Sequence, residues 1–205
     1  MFQQIGFKVK IGITGGIGSG KSHVSKIIEK NGYVVLNADN IAKQIMIEDE
    51  SVKELIISKF GEKSYLNDEL NRSYIASKAF SSIEKLAILN AIVHPPMVEK
   101  ISELMNAELQ KSKIVFVEAA LIYEAEVDEV LDYVLLVTSN ENSRIVRIMG
   151  RDNLSENEIK NRMKYQMPEN EKENLADFTI KNNSTLIELE MKTKMFISIF
   201  ESMVK

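Results

Sequence analysis

The run Gly15-Gly16-Ile17-Gly18-Ser19-Gly20-Lys21-Ser22 satisfies G-x-x-x-x-G-K-[ST] at every defined position, and that pattern is a device for holding phosphates. Its glycines let the backbone wrap a polyphosphate at φ values that side chains resist. The N–H groups so exposed, and the helix that starts there, offer positive potential to anionic oxygens. Gly16 through Gly20 are therefore assigned to the phosphates of a nucleotide, with His23 just beyond counted in the same site. Lys21 has the reach for the β- and γ-phosphates, and the Ser22 hydroxyl can ligate Mg²⁺.

Such a loop needs a strand before it and a helix after it. Val9, Ile11 and Ile13 punctuate a short apolar run that reads as a buried strand, and Val24, Ile27 and Ile28 recur at helical spacing. The helix, about Lys21 to Lys30, stops at Asn31-Gly32. Tyr33 to Leu36 is a second strand, and it delivers Asp39 near its carboxyl end, where ligands of open parallel sheets gather. Asp39 is read two ways: as the acceptor of a hydroxyl proton or a holder of Mg²⁺ through water, or as the N-cap of a helix from Ile41 to Ile47.

From about Ser51 to Gln110 the pattern is mostly helical, too long for an ordinary crossover, and an inserted helical subdomain is inferred. The prolines of His94-Pro95-Pro96 are expected to end one helix there and start the next. Ile114 to Val117 is a strand closed by Glu118, either a Walker B-like group on the metal side or a solvated strand-end glutamate. After a strand at Tyr133 to Val137 come Arg144, Arg147 and Arg151, spaced for one helical face. Glu156 to Gln166 is a second polar helix, carrying Arg162 and ended by Met167-Pro168. Together, about residues 141–170 look like the lid of a small kinase, with guanidinium groups suited to a transferring phosphoryl group. Ala176 to Ile180 is a last strand, and Leu186 to Val204 a closing helix with Leu189, Met195, Phe196 and Ile199 on its buried side.

Composition narrows the classes. The 205 residues suit one domain with an insertion. A formal net charge of −4 gives no reason to expect nucleic-acid binding. No cysteine is present, which excludes disulfides, cysteine-ligated zinc and thiol catalysis and fits the cytoplasm. Neither a membrane-spanning run nor a leader in Met1 to Lys8 is read. A monomer or weak homo-oligomer is expected.

From Ile11 to about Leu189 the chain resembles the dephospho-coenzyme A kinase family. The opening Gly12-Ile13-Thr14-Gly15-Gly16-Ile17-Gly18-Ser19-Gly20-Lys21-Ser22 is similar to that family's form of the loop, and Asn37-Ala38-Asp39-Asn40-Ile41-Ala42-Lys43 to its Asp-Ala-Asp-x-x-Ala-Arg. The resemblance implies a catalytic role for Asp39 beside Lys21, Arg147 and Arg151. It also implies an acceptor site drawing on Arg72, Phe80, His94, Pro95, Leu121, Glu124 and Arg162, and an adenine site near Asn182. Asn37, Lys43, Ala120, His23 and Ser184 depart from the family's usual residues. The expected fold is a three-layer α/β P-loop kinase with a parallel sheet, a CoA-binding insert and a lid. Its expected reaction moves the γ-phosphoryl group of ATP to the 3′-hydroxyl of dephospho-CoA. A guanine-reading Asn-Lys-x-Asp and a switch Asp-x-x-Gly, which a GTPase would need, are both missing from the sequence.

Overall fold

The computed structural model describes residues 7–205; Met1–Gly6, most of the stretch read for a leader, lie outside the described residues. The chain divides into two compact units, one formed by residues up to Asn37 with Glu103–Lys205, the other by Ala38–Ser102.

The first unit is built on a five-stranded parallel sheet. β1 (Val9–Thr14) lies between β5 (Ile114–Glu118) and β6 (Tyr133–Thr138), with β2 (Val35–Asn37) and β7 (Phe178–Lys181) at the edges, in the order β2-β5-β1-β6-β7. All five residues of β5 are buried, as expected for a strand with helices on both faces. Ile11, Ile13, Phe116, Leu135 and Val137 share one core with Val24 and Ile28 of α1 (Lys21–Lys30) and with Leu189, Ile197 and Phe200 of α9 (Leu186–Met203). Phe200 meets Phe178 and Phe116 edge-on at 5.4 and 6.0 Å between ring centroids; burying each such ring is worth about 1.5–3 kcal/mol. The buried stripe of α9 is Leu189, Thr193, Ile197 and Phe200, while Met195, expected inside, is half exposed. Three helices fill the stretch between β6 and β7: α6 (Glu141–Asp152), α7 (Glu156–Met163) and α8 (Glu169–Leu175). The helix read from Glu156 to Gln166 is α7, which stops three residues earlier at Met163, and α8 lies outside that reading. α7 starts in a capping box between Ser155 and Glu158, and α8 starts from the Pro168 carbonyl, which accepts from the Glu171 and Lys172 amides.

The second unit packs α2 (Ala38–Glu48), α3 (Glu50–Phe60), α4 (Arg72–Ala79) and the N-terminal part of α5 (Ile83–Glu108) around Val52, Ile56, Phe60, Ile75, Ala79 and Val93. It carries a small hairpin that the helical reading missed. β3 (Tyr65–Leu66) and β4 (Glu69–Leu70) are joined by Asn67 and Asp68, both with positive φ, the geometry of a type I′ turn. The expected break at Pro95-Pro96 is also overturned, since both prolines lie inside the 26-residue α5. Two backbone donors are lost there, but Val93, Met97, Ile101 and Met105, four apart, are buried on either side of the pair. That burial outweighs the lost bonds.

Candidate active site

β1 ends at the buried Thr14 and the loop turns back over the sheet. A Cβ on Gly15 would sit 2.1 Å from the Val137 carbonyl oxygen of β6, so only glycine lets the loop leave the strand that closely. Within it the Ser19 amide donates to the Gly16 carbonyl at 3.0 Å, and the Gly20 carbonyl accepts from the His23 and Val24 amides as α1 begins. Lys21 and Ser22 thus stand on the first turn of that helix, with His23 exposed behind them. The hydroxyls of Thr14 and Ser19 are buried without a hydrogen-bond partner.

Ser22 Oγ donates to Glu118 Oε1 at 2.7 Å. Parallel pairing sets Glu118 level with Ile13 on β1 and Asn37 on β2, at the carboxyl end of the sheet. Glu118 is 8% exposed, which removes the reading of a solvated strand-end glutamate. One hydroxyl and one carboxylate side by side suit a hard cation that takes oxygen ligands and keeps several waters and phosphate oxygens of its own. Among the described residues no group of three or more His, Cys, Asp or Glu could hold a metal unaided.

The α6 arginines do three different things. Arg144 is buried, donating from Nε to the Ile17 carbonyl at 3.1 Å and pairing with Glu169 Oε2 at 2.6 Å. Its guanidinium lies over Gly16, where an added Cβ would meet it at 2.6 Å. Arg147 donates to the carbonyls of Gly18, Ser19 and Asn182 and to Ser139 Oγ, at 2.9–3.4 Å. Arg151 instead forms a bidentate pair with its neighbour Asp152, at 2.7 and 2.8 Å. That pair holds the Asp152 carboxyl below its usual range, with Arg162 of α7 adding to the effect. Asn182, buried after β7, donates from Nδ2 to the Ser19 carbonyl at 2.8 Å. Lys21, Ser22, Glu118, Arg147 and Asn182 are thus brought around one loop, and Arg151 and Arg162 are on the neighbouring helices.

Glu124 and Leu121 follow β5 in a turn. Glu124 Oε1 accepts from the Met167 amide at 2.6 Å and pairs with Lys172 Nζ at 3.1 Å. Lys172 is fully buried and also donates to the Ala120 carbonyl at 2.9 Å. Sequence reasoning missed Lys172, Glu169 and the distinct role of Arg144. The available signal was Pro168 followed by acidic residues, a good helix start. Asp39, Arg72, Phe80, His94 and Pro95 all fall in the second unit. Asp39 is exposed on the first turn of α2, which begins at Ala38, so the N-cap reading is overturned. Arg72 and Phe80 sit at the two ends of α4, and His94 and Pro95 lie within α5.

A strand, phosphate loop and helix at the centre of a parallel sheet, with arginines of a following helix on that loop, define a P-loop kinase. The fold agrees with solved kinases at low identity, among them shikimate kinase from Acinetobacter baumannii (TM-score 0.54, 15% identical, 97% of this chain and 96% of that one). The chain belongs to the dephospho-CoA kinase family, whose model matches residues 9–188. It is 37% identical over 187 residues to the dephospho-CoA kinase of Fusobacterium nucleatum, covering 91% of this chain and 95% of that one. The corresponding enzyme of Salinibacter ruber is 35% identical over 185 residues, 89% and 93% of the two chains. The structure of dephospho-CoA kinase from Campylobacter jejuni superposes with a TM-score of 0.72 at 30% identity, covering 94% of this chain and 96% of that one. Like those relatives the chain is a phosphotransferase. Among the described residues no helix is long and apolar enough to cross a membrane.

Proposed function

We propose that the chain transfers the γ-phosphoryl group of ATP to the 3′-hydroxyl of the ribose of dephospho-CoA, giving CoA and ADP. The observation that carries the reading is the Ser22–Glu118 pair at the foot of a complete phosphate loop, within a chain of this family. Loop amides and Lys21 hold the phosphates. Ser22 would hold Mg²⁺, with Glu118 on its side through water, and the ion would supply charge neutralisation to the phosphates. Asp39, with Mg²⁺ contact through water as a second role, takes the 3′-hydroxyl proton as the new O–P bond forms and the bridging β–γ bond breaks. Arg147 sets the loop and the adenine end through Gly18, Ser19 and Asn182. Arg151 leaves Asp152 to meet the moving phosphoryl group.

Arg72, Phe80, His94, Pro95, Leu121 and Arg162 form the acceptor side, and Glu124 serves it by bracing the lid. The insert of about residues 51–110 supplies most of that side, and closure of the lid, about 141–170, excludes water and limits idle ATP hydrolysis. On this reading the enzyme works in the cytoplasm as a monomer or weak homo-oligomer, without nucleic-acid or membrane partners. The test is ADP formation from Mg·ATP with dephospho-CoA, with AMP or CMP, and with no acceptor. ADP rising only with dephospho-CoA, and CoA appearing in step, is the expected result. Turnover with a nucleoside monophosphate instead would overturn the acceptor assignment and leave the ATP site standing.

A further inference from the structure

Ile17 occupies a position the phosphate-loop pattern leaves open, yet it is held on three sides. Its N–H donates to Gln166 Oε1 at 2.9 Å and its carbonyl accepts from Arg144 Nε at 3.1 Å. Its side chain packs on the buried Ile145, Ile148 and Ile159 of α6 and α7. The groups that hold it are themselves fixed. Glu169 of α8 pairs with Arg144, and Glu124 ties both the Met167 amide and Lys172 to the turn after β5. Gln166 and Ile17 are 149 residues apart in sequence, so this is a long-range clasp and not a local turn.

We propose that Gln166 and Arg144 are positioning residues for ATP, acting through the two consecutive peptide groups on either side of Ile17. They fix the two peptide planes that meet at the Ile17 Cα, one each, which aims the amides that follow at the phosphates. Ile17 then serves ATP through the shape it imposes, since its own N–H is already bonded. The inference rests on reading the loop as the ATP site.

The test uses Gln166→Met in the full chain, which keeps the side-chain length and removes the acceptor. Calorimetric titration with Mg·ATP is expected to show Kd raised about fivefold, the worth of one neutral hydrogen bond. KM for dephospho-CoA is expected to stay within twofold, and the unfolding midpoint within about 2 °C. Combining Gln166→Met with Arg144→Met should weaken ATP binding by less than the product of the single effects, because both set the backbone of one residue, Ile17. Should Arg144→Met fail to fold, Ile17→Ala replaces it in the cycle. Binding of Mg·ATP by Gln166→Met within twofold of wild type overturns the inference, as do multiplicative effects. Equal weakening of both substrates with a large drop in midpoint also overturns it, since that marks a purely structural role. A wild-type chain that does not bind Mg·ATP refutes the ATP-site reading itself, a result distinct from tight wild-type binding matched by the variant.

Discussion

Glu118→Gln separates a metal-side role from a structural one. Gln has the same length and keeps an oxygen, so the 2.7 Å bond from Ser22 survives as a neutral one. Losing charge assistance costs about 1 kcal/mol, and no longer burying a carboxylate offsets a similar amount. The unfolding midpoint should therefore move by no more than about 3 °C. The metal side loses a full negative charge. Changes to groups that orient or support metal ligands typically alter affinity about 10- to 100-fold, roughly 1.4–2.8 kcal/mol. The assay is the initial rate of ADP formation at saturating substrates as free Mg²⁺ is varied. We expect half-saturation to rise by that factor and much of the rate to return at high Mg²⁺. An unchanged Mg²⁺ dependence with a normal rate would falsify the assignment and leave Glu118 as the partner of Ser22 alone.

Three further outcomes are expected. Arg151→Ala should lower kcat by about 10³ or more while Kd for Mg·ATP changes little, because Arg151 is paired with Asp152 and not with the phosphate loop; near-normal kcat removes it from the chemistry. Lys172→Met leaves the Glu124 carboxylate without its cation and should cost about 3–5 kcal/mol, lowering the unfolding midpoint on the order of 10 °C. Adding Glu124→Gln should restore much of that loss, and no recovery in the double variant would refute the pairing argument. Burial pushes the Tyr33, Tyr65 and Tyr123 hydroxyls up to about 12, with nearby carboxylates adding to it. Well below pH 10 these phenols are neutral in folded and unfolded chains alike. Between about 10 and 12 the unfolded chain releases protons that the folded one keeps, so stability falls as pH rises. Urea midpoints at pH 9 and 11 check this, and Tyr33→Phe should flatten the decline; a slope unaltered by that change argues against it.

The loop was legible because backbone geometry dictates its residue types. Gly15 has no room for a Cβ against Val137, and the apolar runs on either side carry the period of a strand and then of a helix. The clasp around Ile17 was not legible. Its partners are joined only by the fold, and a glutamine or buried lysine carries no local sign of its contact. Pro95 and Pro96 misled for a related reason, since the burial that carries α5 through them is tertiary. The Asn67-Asp68 turn was readable in principle, but two-residue strands give too short an alternation to register.

The place of β1 in the sheet bears on how the protein is made. β1 is the first strand of the described chain, yet its neighbours begin at Ile114 and Tyr133. The phosphate loop is held further by Gln166 and Asn182. A ribosome therefore releases the loop's sequence long before anything exists to shape it, and the nascent strand must wait with its apolar residues uncovered, a slow and aggregation-exposed course. Nucleotide cannot assist until the chain has emerged past Asn182. ATP capture thus requires synthesis past Asn182, and a chain that stops short of it should be left for quality control to clear.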